Sequence, residues 1–123
     1  MPIKQKKWWR ARVVRGKGLG KELGYPTANL EPPKNWQLDY GIYATSVRVA
    51  GATYGGVLYW GTKGGTGDSL EIYIFDFNSD LYGETITFQV GRFIRNDRAI
   101  ESETELKAQI AADVAVAKKI RYY

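Results

Sequence analysis

Between Gly16 and Leu30 the chain reads Gly-Lys-Gly-Leu-Gly-Lys-Glu-Leu-Gly-Tyr-Pro-Thr-Ala-Asn-Leu, with four glycines and a Pro-Thr-Ala-Asn block between two apolar runs. Glycines at this density open main-chain N–H groups to an incoming ligand, because no Cβ stands in the way. Lys17 and Lys21 add positive charge, and Thr27 and Asn29 add a hydroxyl and a carboxamide. Exposed amides, ammonium groups and neutral oxygens suit phosphate oxygens and a hard cation. The stretch reads as a nucleotide-phosphate loop, and its bland alternative is a solvated glycine-rich connection between strands.

Two common phosphate fingerprints are absent. Gly20-Lys21 is followed by Glu22, and position 15 is Arg, so there is no P-loop. Gly16, Gly18 and Gly20 lack the further glycine of a dinucleotide fold, and Pro26 stops a helix from running through. The loop belongs to another scaffold. A second chemical candidate is Glu71, alone among Leu70, Ile72, Ile74 and Phe75. A carboxylate in such company is expected to be partly desolvated, which favours a proton acceptor; the alternative is a salt-bridged strand glutamate near a barrel rim.

Those groups need elements to hold them. Trp8 to Arg15 is rich in strand formers and feeds the glycine loop. Gly41 to Val49 and Thr53 to Trp60 read as strands joined at Ala50-Gly51-Ala52. Leu70 to Phe77 is apolar at nearly every position, as expected of a strand covered on both faces. After a turn at Asn78-Ser79-Asp80, Glu84 to Ile94 is again strand-like, while Glu31 to Asp39 is a loop or edge segment. The period then changes. Ser102-x-x-Glu105 is a capping box, and Leu106, Ile110, Val114 and Ala117 follow at helical spacing, predicting one amphipathic helix from about Glu103 to Ile120. Five or six strands and one helix predict an all-β domain that closes into a barrel.

Composition excludes several chemistries. The chain has neither cysteine nor histidine, so disulfides, thiolate nucleophiles, histidine bases and most zinc sites are ruled out. At 123 residues one domain over 1–123 is expected, with residues 1–7 a basic terminus. No stretch has the length of a transmembrane helix and Met1 to Arg10 lacks a signal-peptide core, so a cytoplasmic location is expected. Eight of the 18 basic residues and none of the 13 acids fall in residues 1–21. That asymmetry suits either a polyphosphate or a nucleic-acid strand.

Leu23-Gly24-Tyr25-Pro26-Thr27-Ala28-Asn29-Leu30, Gly41-Ile42-Tyr43, Leu70-Glu71, Asp76-Phe77, Asp80-Leu81-Tyr82-Gly83 and Phe93-Ile94-Arg95 stand in an order that resembles the riboflavin kinase family. The resemblance implies a six-stranded antiparallel Greek-key β-barrel with one C-terminal α-helix. It implies transfer of the γ-phosphoryl group of ATP to the 5′-hydroxyl of riboflavin, giving FMN, with Mg²⁺ or another divalent cation. It further implies that Thr27 and Asn29 bind metal and phosphate, that Glu71 is the catalytic base, and that Gly16, Lys17, Gly18, Gly20 and Pro26 belong to the ATP site. Tyr82 and Arg95 fall in segments that line the flavin side in the family. In bacteria such a domain is usually half of a bifunctional enzyme; here the adenylyltransferase half is missing, so FMN formation alone is implied. A monomer without nucleic-acid or membrane partners is expected.

Departures from the family pattern gather on the flavin side. Tyr59 to Gly65 lacks the usual Asn and Pro-Thr, Tyr73 stands for a histidine, Asp97 for Glu and Ile100 for Phe. They motivate the alternative of a barrel that binds flavin or nucleotide without catalysis.

Overall fold

The computed structural model describes residues 7–16, 24–62 and 67–120. Six strands, β1 (Trp9–Val14), β2 (Thr27–Leu30), β3 (Gly41–Val49), β4 (Ala52–Gly61), β5 (Ser69–Ile74) and β6 (Thr85–Arg95), precede one helix, α1 (Glu103–Lys119). Every pairing is antiparallel, and the order β1-β2-β5-β4-β3-β6 closes on itself through β6 and β1. Strands β3, β4 and β5 follow one another as neighbours and β6 returns beside β3, which is the Greek-key arrangement.

Alternation along the strands separates two apolar layers. Val13, Leu30, Val47, Leu58, Leu70, Ile72, Ile74, Ile86 and Phe88 point into the barrel. Ile42, Ala44 and Val57 point outward and are covered by Ile110, Val114 and Ala117 of α1. The helix therefore lies on the outer wall, and the expected stripe is the face it buries. Its start follows the predicted box: Ser102 Oγ accepts from the Glu105 N–H at 3.1 Å.

The β3–β4 hairpin is tighter than the sequence suggests. Ala50 and Gly51 have φ of 50° and 83°, and Val49 pairs with Ala52, so two left-handed residues make the turn. Strand β5 is shorter than the predicted Leu70–Phe77. It ends at Ile74, and Asp76 turns the chain with φ 56°. Nor is it uniformly apolar on both faces: Leu70, Ile72 and Ile74 face the core, while Glu71 and Tyr73 face out. The irregular Glu31–Tyr40 connection covers one barrel end, where the Trp36 ring meets Trp9, Trp60 and Phe88. No helix among the described residues is long and apolar enough to cross a membrane.

Candidate active site

The register of β2, β5 and β4 builds the site. Asn29 pairs with Glu71, and Glu71 pairs with Tyr59, so these three side chains form a row on the outer wall. Thr27, two residues before Asn29, projects to the same side. Its Oγ1 donates to Glu71 Oε1 at 2.8 Å, and Ser69 Oγ donates to Oε2 at 3.2 Å. Glu71 is therefore half-buried but not the lone carboxylate expected from its apolar neighbours. Two hydroxyls from two strands fix both of its oxygens.

Asn29 is fixed from the other side. A Cβ on Gly16 would lie 2.1 Å from Asn29 Cγ, so the backbone at Gly16 packs directly on the carboxamide. Here the need for glycine is close approach. Gly24, at the other end of the loop, has φ 88° and open space around it, so there the need is backbone conformation. Lys17, Gly18 and Gly20 lie outside the described residues.

A cleft of about 500 Å³ opens beside this row, between Arg15-Gly16, Pro26–Asn29 and the turn ending at Tyr82. Its floor is apolar, with Val13, Ile72 and Ile74. Tyr82 is 50% exposed at its mouth, and the Arg15 guanidinium lies 4.0 Å from the ring centroid. Tyr82 thus stands with the Gly16 and Pro26–Asn29 residues.

Arg95 stands elsewhere, and the structure does not bring it to Tyr82. Arg95 pairs with Ile42, two strands beyond Tyr59 and three beyond Glu71. Its Nε and Nη2 donate to the two oxygens of Asp113 at 2.8 and 2.9 Å, a bidentate pair on a carboxylate only 1% exposed. Gln109 Nε2 donates to Asp113 Oδ1 at 3.0 Å, and the Tyr59 hydroxyl reaches Oδ2 at 3.4 Å. Burial, and next the Asp113 charge, push the Tyr59 phenol far above its ordinary range. Asp113, Tyr59 and Ser69 were not singled out from the sequence for a role. Asp113 had a readable signal, since it falls on the same helical face as Ile110 and Ala117. Tyr59 and Ser69 had none without the strand register.

Among the described residues no group of three or more Asp, Glu, His or Cys side chains could cage a metal. The neutral donors nevertheless fit a hard cation. Thr27 commits its proton to Glu71, which leaves the hydroxyl lone pairs for a ligand, and the Asn29 oxygen is a second such donor. One or two protein oxygens are what Mg²⁺ takes when substrate phosphates and water complete its shell.

The fold and this row define a class: a closed Greek-key barrel with an external helix and an outward-facing polar site at the β2–β5 seam. The family model described as Flavokinase, riboflavin kinase, matches residues 4–121. The chain belongs to the riboflavin kinase family.

Its relatives include the bifunctional riboflavin kinase/FMN adenylyltransferase of Escherichia coli K12, 38% identical over 112 residues, with 88% of this chain and 36% of that protein covered. The RNA-binding riboflavin kinase RibR of Bacillus subtilis is 38% identical over 111 residues, covering 87% and 48%. The chain thus spans about a third of the bifunctional relatives. Among solved structures, a Streptococcus pneumoniae chain described as a macrolide-efflux protein superposes with a TM-score of 0.84 at 30% identity, over 94% of this chain and 40% of that one. The riboflavin kinase of Trypanosoma brucei shares the fold, with a TM-score of 0.62 at 24% identity over 91% of this chain and 77% of that one.

Proposed function

We propose that this chain phosphorylates riboflavin, moving the γ-phosphoryl group of ATP to the ribityl 5′-hydroxyl and releasing FMN and ADP. The observation that carries the reading is the 2.8 Å bond between Thr27 and Glu71, with Asn29 paired opposite the same carboxylate. It joins a proton acceptor to neutral oxygen donors beside a glycine-rich loop.

Phosphoryl transfer needs alignment and charge neutralisation more than covalent help from the protein. ATP phosphates lie over the Gly16 and Pro26–Asn29 segment; Lys17, Gly18 and Gly20, assigned to the ATP site by resemblance, lie outside the described residues. Thr27 and Asn29 would hold a divalent cation such as Mg²⁺, which would supply positive charge to the phosphates. Glu71 accepts the proton of the riboflavin 5′-hydroxyl as that oxygen bonds to the γ-phosphorus and the bond to the ADP oxygen breaks. Thr27 and Ser69 keep both Glu71 oxygens in place, so the acceptor does not need to reorganise. Tyr82, expected on the flavin side, lines the same cleft as Gly16 and Pro26–Asn29 with Arg15 against its ring, and on that ground we assign it to the nucleotide instead. Arg95, through Asp113, shapes the flavin side beneath the helix. Residues 1–123 act as one catalytic domain.

FMN formation from riboflavin, ATP and Mg²⁺, followed by chromatography, tests this directly. Glu71→Gln should lower turnover by about 10²- to 10⁴-fold, the range for loss of a general base, while leaving the melting temperature near that of wild type. Near-normal turnover in that variant removes Glu71 from the mechanism, and no FMN from a folded wild type removes the kinase reading altogether.

A further inference from the structure

Apart from Arg95 at the end of β6, the outer wall formed by β1, β6 and β3 contributes no side chain to the roles just described. It is centred on β6, which lies across the closed barrel from β5 and Glu71. Beyond the footprint of α1 on Ile42, Ala44 and Ile94, Ser46 is buried and Thr87 half-buried, while Arg10, Arg12 and Arg48 are exposed.

The charge on its three strands is of one sign. Alternation turns Ala11, Val13, Val47, Ile86 and Phe88 into the core, so Arg10, Arg12 and Arg48 face outward, and all three are exposed. Arg10 and Arg48 both pair with Thr87, one from each side, which sets their Cα atoms about 10 Å apart across the sheet. Arg12 pairs with Thr85 one step along. The three strands contain no Asp or Glu, and among the described residues neither Arg10 nor Arg12 makes an ion pair. A carboxylate stands at the rim, where Glu31 lies opposite Arg12 and donates its N–H to the Arg12 carbonyl at 3.0 Å, while Arg10 and Arg48, astride Thr87, repel one another and attract a polyanion.

One aromatic side chain gives the patch a second property. The Arg48 guanidinium lies 3.8 Å from the centroid of the Trp8 ring. A flat ring set among cationic groups can bind an unpaired base by stacking and its backbone by charge. A smooth sheet face offers no protruding helix or ribbon for a duplex groove. We propose that this wall docks a single-stranded nucleic acid, with phosphates on Arg10, Arg12 and Arg48 and a base against the Trp8–Arg48 stack. The surface is independent of the phosphoryl-transfer site.

The test is fluorescence anisotropy of short labelled oligouridylate and oligothymidylate, titrated with the full chain over a series of salt concentrations. Both probes carry the phosphate and base chemistry, so binding to either fits, and comparison of the two distinguishes RNA from DNA as the natural source. The triple variant Arg10→Gln, Arg12→Gln, Arg48→Gln should flatten the log–log salt slope by about 2, at roughly 0.7 per lost phosphate contact. Trp8→Ala should weaken binding about tenfold while leaving that slope in place. FMN formation and the melting temperature serve as the control for folding, and neither should change in the triple variant. No binding by wild type at low ionic strength, an unchanged slope in the triple variant, or tighter binding to phosphatidylserine vesicles than to either oligonucleotide overturns the proposal.

Discussion

At the scale of single residues, the site depends on small groups placed where nothing larger fits. Gly16 is the clearest case, because its missing Cβ is where the Asn29 carboxamide packs. Gly16→Ala must push that side chain away from the Thr27 and Glu71 row. The obstacle is a movable side chain at an exposed position, so the fold should tolerate the change better than the site does. The expected result is a KM for MgATP raised about tenfold or more with the melting temperature little altered, measured by steady-state FMN production and thermal unfolding. An unchanged KM would mean that Asn29 does not serve the nucleotide. Residue identities here were legible from the sequence, since Thr27, Asn29 and Glu71 were singled out by type and by resemblance. Their contact was not, because 44 residues separate Thr27 from Glu71 and only the β2–β5 register closes that gap.

At the scale of elements, the local signals were readable and the pairings were not. The capping box, the apolar helical stripe and the β3–β4 turn each arise from neighbours in the chain and appear where expected. Strand β5 is shorter than its sequence predicts because Phe75 and Phe77 continue the apolar run, whereas a left-handed Asp76 between them turns the chain after Ile74. The separation of Tyr82 from Arg95 is likewise a property of barrel closure, which local patterning does not encode. Helix α1 is tied to the barrel wall by the Arg95–Asp113 pair as well as by its apolar face. Asp113→Asn leaves Arg95 without its counter-ion beneath the helix. Removing one partner of a buried pair costs about 3 kcal/mol, a melting-temperature loss on the order of 10 °C in a domain of this size. The same variant should raise the KM for riboflavin more than that for ATP, since Arg95 and Tyr59 lie on the helix side of Glu71. Equal changes in both constants would count against a flavin-side role for the clamp.

At the scale of the whole molecule, the absence of histidine and cysteine shapes the response to pH. No side chain has an ordinary pKa between the carboxylates and the lysine and tyrosine range, so stability should be nearly flat from about pH 6 to 9. The alkaline side differs because Tyr59 and Tyr43 are both raised, chiefly by burial, while the hydrogen bond to Asp68 raises Tyr40. For each, the folded chain holds its phenolic proton more tightly than the unfolded chain does. The stability this contributes is complete below the ordinary tyrosine pKa of 10.0 and is lost as pH rises above it, because the unfolded state then releases protons that the native state retains. Melting temperatures should therefore hold level through neutrality and fall above about pH 10, with Tyr59→Phe flattening that fall even though it starts from lower stability. If Tyr59→Phe follows the wild-type curve in parallel, its buried phenol is not what couples the fold to alkaline pH, and the descent belongs to the lysines and the remaining tyrosines.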